Sequence, residues 1–137
     1  MRKTFLTTTL AAAAAVGFAA APAHAAAVDM PFSMAYGNSQ TSGSIHFTSG
    51  YTASLSGVVH AASGQRAICA DGYNGSVEAG GGCSDWASAG GPDATLNTSF
   101  SINLPGGVQR VVIYMLEEHG DTVASEYCTR SGCTRTL

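Results

Sequence analysis

The stretch Leu96-Asn-Thr-Ser-Phe-Ser-Ile-Asn-Leu104, Pro105-Gly106-Gly107, Val108-Gln-Arg-Val-Val-Ile-Tyr-Met-Leu-Glu-Glu118 decides the fold class. Leu96, Thr98, Phe100, Ile102 and Leu104 fall on one parity, and Asn97, Ser99, Ser101 and Asn103 on the other. A period of two is the pattern of a strand with one dry and one wet face. Val108, Val111, Val112, Met115 and Leu116 also fit helical spacing, with Gly120 as a possible C′ residue. The β-branched and aromatic run Val111-Val112-Ile113-Tyr114 favours a strand instead, because such side chains lose rotamer freedom in a helix. Both parities of that run are apolar, as in a central strand covered on both faces. After the His119-Gly120-Asp121 break, Thr122 to Cys128 leads to Cys133. The stretch reads as three antiparallel strands closed by a cysteine pair.

Upstream, Ser44–Thr48 and Tyr51–His60 alternate around Ser49-Gly50, the pattern of a hairpin. Ala61–Gln65 reads as a turn and Arg66–Ala70 as a short strand. Residues 26–42, with Pro31 and Gly37, read as an N-terminal arm or edge strand, and 43–137 as the domain proper. Six or seven short strands with few helix formers predict an antiparallel β-sandwich, immunoglobulin-like or Greek-key, or else a small barrel. Residues 71–93 carry seven glycines and few aliphatic residues, and read as a long loop. Loops of that length in compact domains are often functional.

Residues 1–25 have the pattern of a secretory signal peptide: Arg2 and Lys3, an Ala-rich apolar run, then Ala23-His24-Ala25 as a small-x-small cleavage site. Cleavage before Ala26 predicts a secreted, extracellular protein with no membrane segment afterwards. It also removes the only lysine, leaving Arg66, Arg110, Arg130 and Arg135 against nine acidic residues. Such a balance repels nucleic acid and anionic lipid. In an exported chain the four cysteines predict two disulfides. Three pairings are possible; the local ones, Cys69–Cys83 and Cys128–Cys133, are favoured. Closing the loop of about 15 residues between Cys69 and Cys83 is worth about 3 kcal/mol in the chain-entropy account. The absence of a Cys-x-x-Cys spacing disfavours zinc.

Candidate sites are few. Trp86, the only tryptophan, and Tyr73 form a possible aromatic platform, with Tyr51 as a further ring and Asn74, Asp85 and Asp93 as polar neighbours. The plain alternative is that Trp86 plugs one end of the sandwich. Glu117, Glu118, His119 and Asp121 cluster at an expected hairpin tip, where they are weak metal candidates beside the reading of a solvated turn. His46 and His60 lie on wet parities near Ser54 and Ser56, but no nucleophile-elbow or zinc-protease motif accompanies them. Asn74-Gly-Ser76 and Asn97-Thr-Ser99 match the glycosylation sequon. No cofactor is expected. The reading is a non-enzymatic binding protein for an extracellular protein or glycan, acting through residues 71–93. A small protease inhibitor and a small hydrolase are the alternatives.

The Ala-rich leader, the lysine-free remainder and the stretch Gly107 to Val123 resemble small secreted proteins of high-GC actinobacteria, many without an assigned function. Cys128-Thr-Arg-Ser-Gly-Cys133 is similar in spacing to the second disulfide of the enediyne-antibiotic apoproteins, which implies an immunoglobulin-like sandwich. In those proteins further strands follow that bridge and the first bridge is closer-spaced.

Overall fold

The computed structural model describes residues 25–137, which form ten strands and no helix. The expected signal peptide lies outside the described residues but for Ala25. The strands are β1 (Val28–Tyr36), β2 (Ser39–Phe47), β3 (Thr52–His60), β4 (Gln65–Asn74), β5 (Val77–Cys83), β6 (Ala87–Ser88), β7 (Ala94–Ser101), β8 (Arg110–Glu117), β9 (Thr122–Thr129) and β10 (Gly132–Arg135). One sheet has the order β1-β2-β3-β7. The other has the order β10-β9-β8-β4-β5, with β6 also pairing β4, and every pairing is antiparallel.

Two packed antiparallel sheets make a β-sandwich. The chain crosses between them from β3 to β4, back from β6 to β7, and again from β7 to β8, while β3 pairs β7 and β4 pairs β8. That interlock is the immunoglobulin-like arrangement, in which β2, β3 and β7 take the places of strands A, B and E, and β4, β5, β8 and β9 those of C, C′, F and G.

Four features differ from the sequence reading. The strand count exceeds six or seven because β5, the two-residue β6 and the short β10 also pair as strands. Residues 71–93 are not one loop: β4 runs on to Asn74, the two-residue turn Gly75-Ser76 follows, and β5 returns to Cys83. Glycine lowers strand propensity, but ladder hydrogen bonds do not depend on a side chain. The segment 96–133 is not a three-strand meander. Strand β7 pairs β3, and residues 102–109 carry the chain across to the other sheet. Finally, the limit between an arm and a domain at residue 42 falls inside β2, and β1 is the edge strand of the first sheet.

The core takes alternate residues from both sheets. Phe32, Ile45, Phe47, Leu55, Val59 and Phe100 come from one, and Ile68, Val111, Ile113, Met115, Ala124 and Cys128 from the other. Phe32, Gly43, Gly57 and Leu96 lie in one cross-strand row. The Phe32 ring occupies the space left by the glycines: a Cβ on Gly43 would stand 2.7 Å, and one on Gly57 2.8 Å, from its Cζ. Phe100 lies against Gly72 of the opposite sheet in the same manner, with Cγ 2.8 Å from where a Cβ would be. Strand β8 sits at the centre of its sheet, yet only one of its faces is covered. Val111, Ile113 and Met115 are fully buried, whereas Val112, Tyr114 and Leu116 are half-buried on the outer face.

Both disulfides bridge directly opposed residues of a hairpin, Cys69–Cys83 between β4 and β5 and Cys128–Cys133 between β9 and β10. Arginines tie the strand ends. Arg130 donates to the Ala26 carbonyl at 3.1 Å and the Thr48 carbonyl at 2.6 Å, with its guanidinium over the Phe47 ring. Arg135 donates from Nη2 to the Ala35 carbonyl at 2.8 Å. Beside it Glu126 is 5% exposed and accepts from the Ser33 N–H, while its Oε1 has no partner. Burial raises the Glu126 pKa, against the opposing pull of Arg135 and the Ser33 N–H.

A group whose folded-state pKa is raised stabilises the fold below its unfolded pKa and loses that contribution as pH climbs through the raised value. Glu126→Gln is therefore expected to be more heat-stable than the parent at pH 7, with the difference shrinking toward pH 4. Melting curves across that range read it directly. Gly43→Ala should cost about 1–3 kcal/mol in denaturant unfolding, because the added methyl displaces Phe32 or the β3 backbone. A variant as stable as the parent would show that the row has slack.

Candidate functional site

The expected aromatic platform does not converge. Tyr73 and Asn74 end β4 at the pole that also holds the turns 48–51 and 102–109. Asp85 and Trp86 precede Ala87, which pairs with Arg66 near the start of β4. About six residues of strand, roughly 20 Å at the usual rise, separate the two pairs.

Asn74 has a structural task. Its Nδ2 donates to the Pro105 carbonyl at 3.0 Å and the Gly107 carbonyl at 2.7 Å, which braces the crossover loop. Its amide is thus engaged, and of the two sequons only that at Asn97 presents an exposed asparagine. The Tyr73 ring carries the Arg110 guanidinium 5.0 Å from its centroid. Tyr51 is exposed at the same pole.

Trp86 does not plug the sandwich, for it is 45% exposed. Ala87 faces inward, so strand alternation puts Trp86 on the outer side of the larger sheet. That outer face carries Leu116, Tyr114 and Val112 of β8 and Tyr127 of β9, all half-buried, while Ala67 and Cys69 of β4 on the same face are buried among their neighbours. The result is an apolar, aromatic surface with no second layer of protein over it. Its polar members are few. The Tyr114 hydroxyl donates to Asp71 Oδ2 at 3.1 Å. Burial, and then this bond to a carboxylate, push the Tyr114 pKa up to about 12.

The metal candidates occupy the β8–β9 turn, closed by Gly120 N–H to the Glu117 carbonyl at 2.8 Å and Glu117 N–H to the Asp121 carbonyl at 3.0 Å. His119 Nδ1 lies 3.2 Å from Glu117 Oε1. Among the described residues no group of three or more His, Cys, Asp or Glu side chains is arranged to hold a metal ion.

On the smaller sheet the structure joins residues that the sequence left apart. His46 Nδ1 lies 2.6 Å from Asp29 Oδ1, and His60 Nδ1 lies 2.7 Å from Asp93 Oδ1. Asp29, His46, Ser54 and Ser99 form one cross-strand row on the outer face. The row has an acid, an imidazole and a hydroxyl in the order of a hydrolytic triad, but β3 is an interior strand. Its N–H groups are committed to ladders on both sides, which leaves none to stabilise an oxyanion at Ser54. The sequence signal for this pairing was the wet parity shared by Asp29, His46 and Ser54; their register across strands was not readable.

In a spectrophotometric titration, Tyr114 should ionise near pH 12, above the ordinary tyrosine value near 10. Its neutral form is favoured by the fold, so the associated stability persists at pH 10 and is lost as pH rises through about 12. Tyr114→Phe should remove that last step from the absorbance curve; a curve unchanged by the substitution would refute the assignment.

No protein-family model, curated protein or solved structure matches the chain at a significant level.

Proposed function

We propose that this chain is an exported, non-enzymatic binding protein whose partner, an extracellular protein or glycan, packs on the outer face of the larger sheet. One observation carries the reading. Val112, Tyr114, Leu116 and Tyr127 lie half-exposed and contiguous, with Trp86 exposed at the margin. A contiguous apolar face rimmed by polar residues is the usual mark of an interaction surface. Tryptophan and tyrosine supply much of the energy at such surfaces with few rotors to order.

The contact involves the 84–86 portion of the segment 71–93 rather than the whole of it. Ser84 holds that portion against β4: its N–H donates to the Ile68 carbonyl at 2.8 Å, and its Oγ accepts from the Ile68 N–H at 3.0 Å. Asp85 and Trp86 thus project from a fixed backbone, which lowers the ordering cost of binding. Two disulfides support an oxidising destination, in accord with the secretion signal expected of residues 1–25. The opposed tips Gly75-Ser76 and Arg130-Ser131 are tight turns, so neither hairpin offers the extended loop that a protease inhibitor would insert.

Trp86 is the sole tryptophan and reports on its own surface. Titration with purified cell-wall glycans and with fractionated culture-fluid proteins should change its emission for one of the two classes. Trp86→Ala and Leu116→Ser, each with an unaltered circular dichroism spectrum, should weaken that binding by about 2 kcal/mol or more at the hot spot. Full retention of affinity in both variants would remove the face from consideration.

A further inference from the structure

We propose a second binding site, on the outer face of the smaller sheet, that takes a neutral saccharide unit. A groove of about 440 Å³ crosses β1, β2, β3 and β7 on that face. It lies on the opposite side of the sandwich from Trp86 and does not depend on the reading given for that surface.

Its origin is a contrast in side-chain length. Two adjacent rows run across the sheet: Asp29, His46, Ser54 and Ser99, then Pro31, Ser44, Ser56 and Asn97. In the first row the longer Asp29 and His46 lie on β1 and β2 and the serines on β3 and β7; in the second, Ser44 and Ser56 lie between Pro31 and Asn97. The short serines, bounded by Asp29 and His46 in one row and Asn97 in the other, form the groove, with Leu55 beneath it. Strand spacing sets hydroxyl-bearing positions about 4.8 Å apart along a row and about 6.7 Å apart between rows. The inter-strand interval is comparable to the distance between hydroxyls on opposite sides of a pyranose ring.

The chemistry of the lining selects the ligand class. The volume falls in the range of small-molecule sites, and the lining sets hydroxyl, amide, imidazole and carboxylate groups among a comparable amount of carbon surface, which suits a ligand with both hydroxyls and C–H faces. No lysine or arginine lines the groove, and Asp29 repels anions, which disfavours uronic or sulfated sugars. A neutral polyol satisfies the serine hydroxyls and Asn97 by exchanging donor for acceptor, and each of those groups can serve as both. Asp29 holds His46 at 2.6 Å through Nδ1, so the imidazole reaches the groove in a fixed orientation.

Backbone amide chemical shifts of the intact secreted chain test the site. The probes are cellotetraose, maltotetraose, chitotetraose and mannotetraose, with tetragalacturonate as the anionic control. At least one neutral probe is expected to move the resonances of His46, Ser54, Ser56, Asn97 and Ser99 together. Ser56→Val fills the groove while suiting a strand, and should weaken that binding about tenfold or more with the rest of the spectrum unmoved. No clustered shift with any of the four neutral probes overturns the proposal. Equal shifts with tetragalacturonate overturn the charge selection. Shifts confined to Val112, Tyr114 and Trp86 overturn the groove and leave the aromatic face as the only saccharide surface.

Discussion

The distance between the two sheets is set by phenylalanine rings lying on glycines. Phe32 spans Gly43 and Gly57 within its own sheet, and Phe100 lies against Gly72 across the interface. Neither ring fits beside a Cβ at those positions. An aromatic ring over a glycine pair restores the apolar contact that the glycines lack, and it fixes register, since a slip of one residue would turn Phe32 to solvent. Ile45, Leu55, Ile68, Val111, Ile113 and Met115 then pack to full burial around the rings. A small domain gains most of its stability from such close packing, with the two hairpin disulfides reducing the freedom of the unfolded chain.

A sandwich still leaves strand ends and edges with unpaired carbonyls. Here arginine serves them. Arg130 fastens the start of β1 and the end of β2, Arg135 reaches from β10 to the β1 edge, and Arg66, 7% exposed, donates to the Gln65 carbonyl while stacking on Tyr36. The planar fork of a guanidinium meets two acceptors at once, which a lysine ammonium does less specifically. The Cys133 sulfur, which has no proton to donate within its bridge, rests 3.4 Å from the Pro31 carbonyl on the same edge. These contacts discourage end-to-end pairing of β1 with another chain, the usual hazard of an exposed edge. They also help the seam close although Glu126 Oε1 has no hydrogen-bond partner there.

The two outer faces have opposite character because the two sheets alternate differently. On β2, β3 and β7 the outward residues are mostly Ser, His, Asn and Thr, with Gln40 and the single apolar Val58, giving a wet face with a groove. On β8 the outward residues are Val112, Tyr114 and Leu116, giving a face that no part of the described chain covers. The period-two pattern of residues 96–101 identified β7 at once, since one parity is apolar and the other polar. The same logic misplaced the outer side of β8. Two apolar parities predict two covered faces, and nothing in the local sequence distinguishes a face covered by the chain from one left for a partner. Glycine hid β5 in a like manner: propensity counts side chains, whereas pairing with β4 depends on backbone groups that Gly80, Gly81 and Gly82 possess in full.

Local pattern by itself pointed to an all-β chain, favoured the pairings Cys69–Cys83 and Cys128–Cys133, and identified which residues of β2, β3 and β7 face the core. Those properties follow from alternation and short loop closure, which involve residues close along the chain. The tertiary structure alone decided that β7 joins β3 rather than β8, that Asp29 meets His46, and that Tyr73 and Trp86 stand at different ends of the sheet. Each of these is a contact between residues far apart in sequence. Its energy belongs to the packed sandwich, and no single segment carries a record of it.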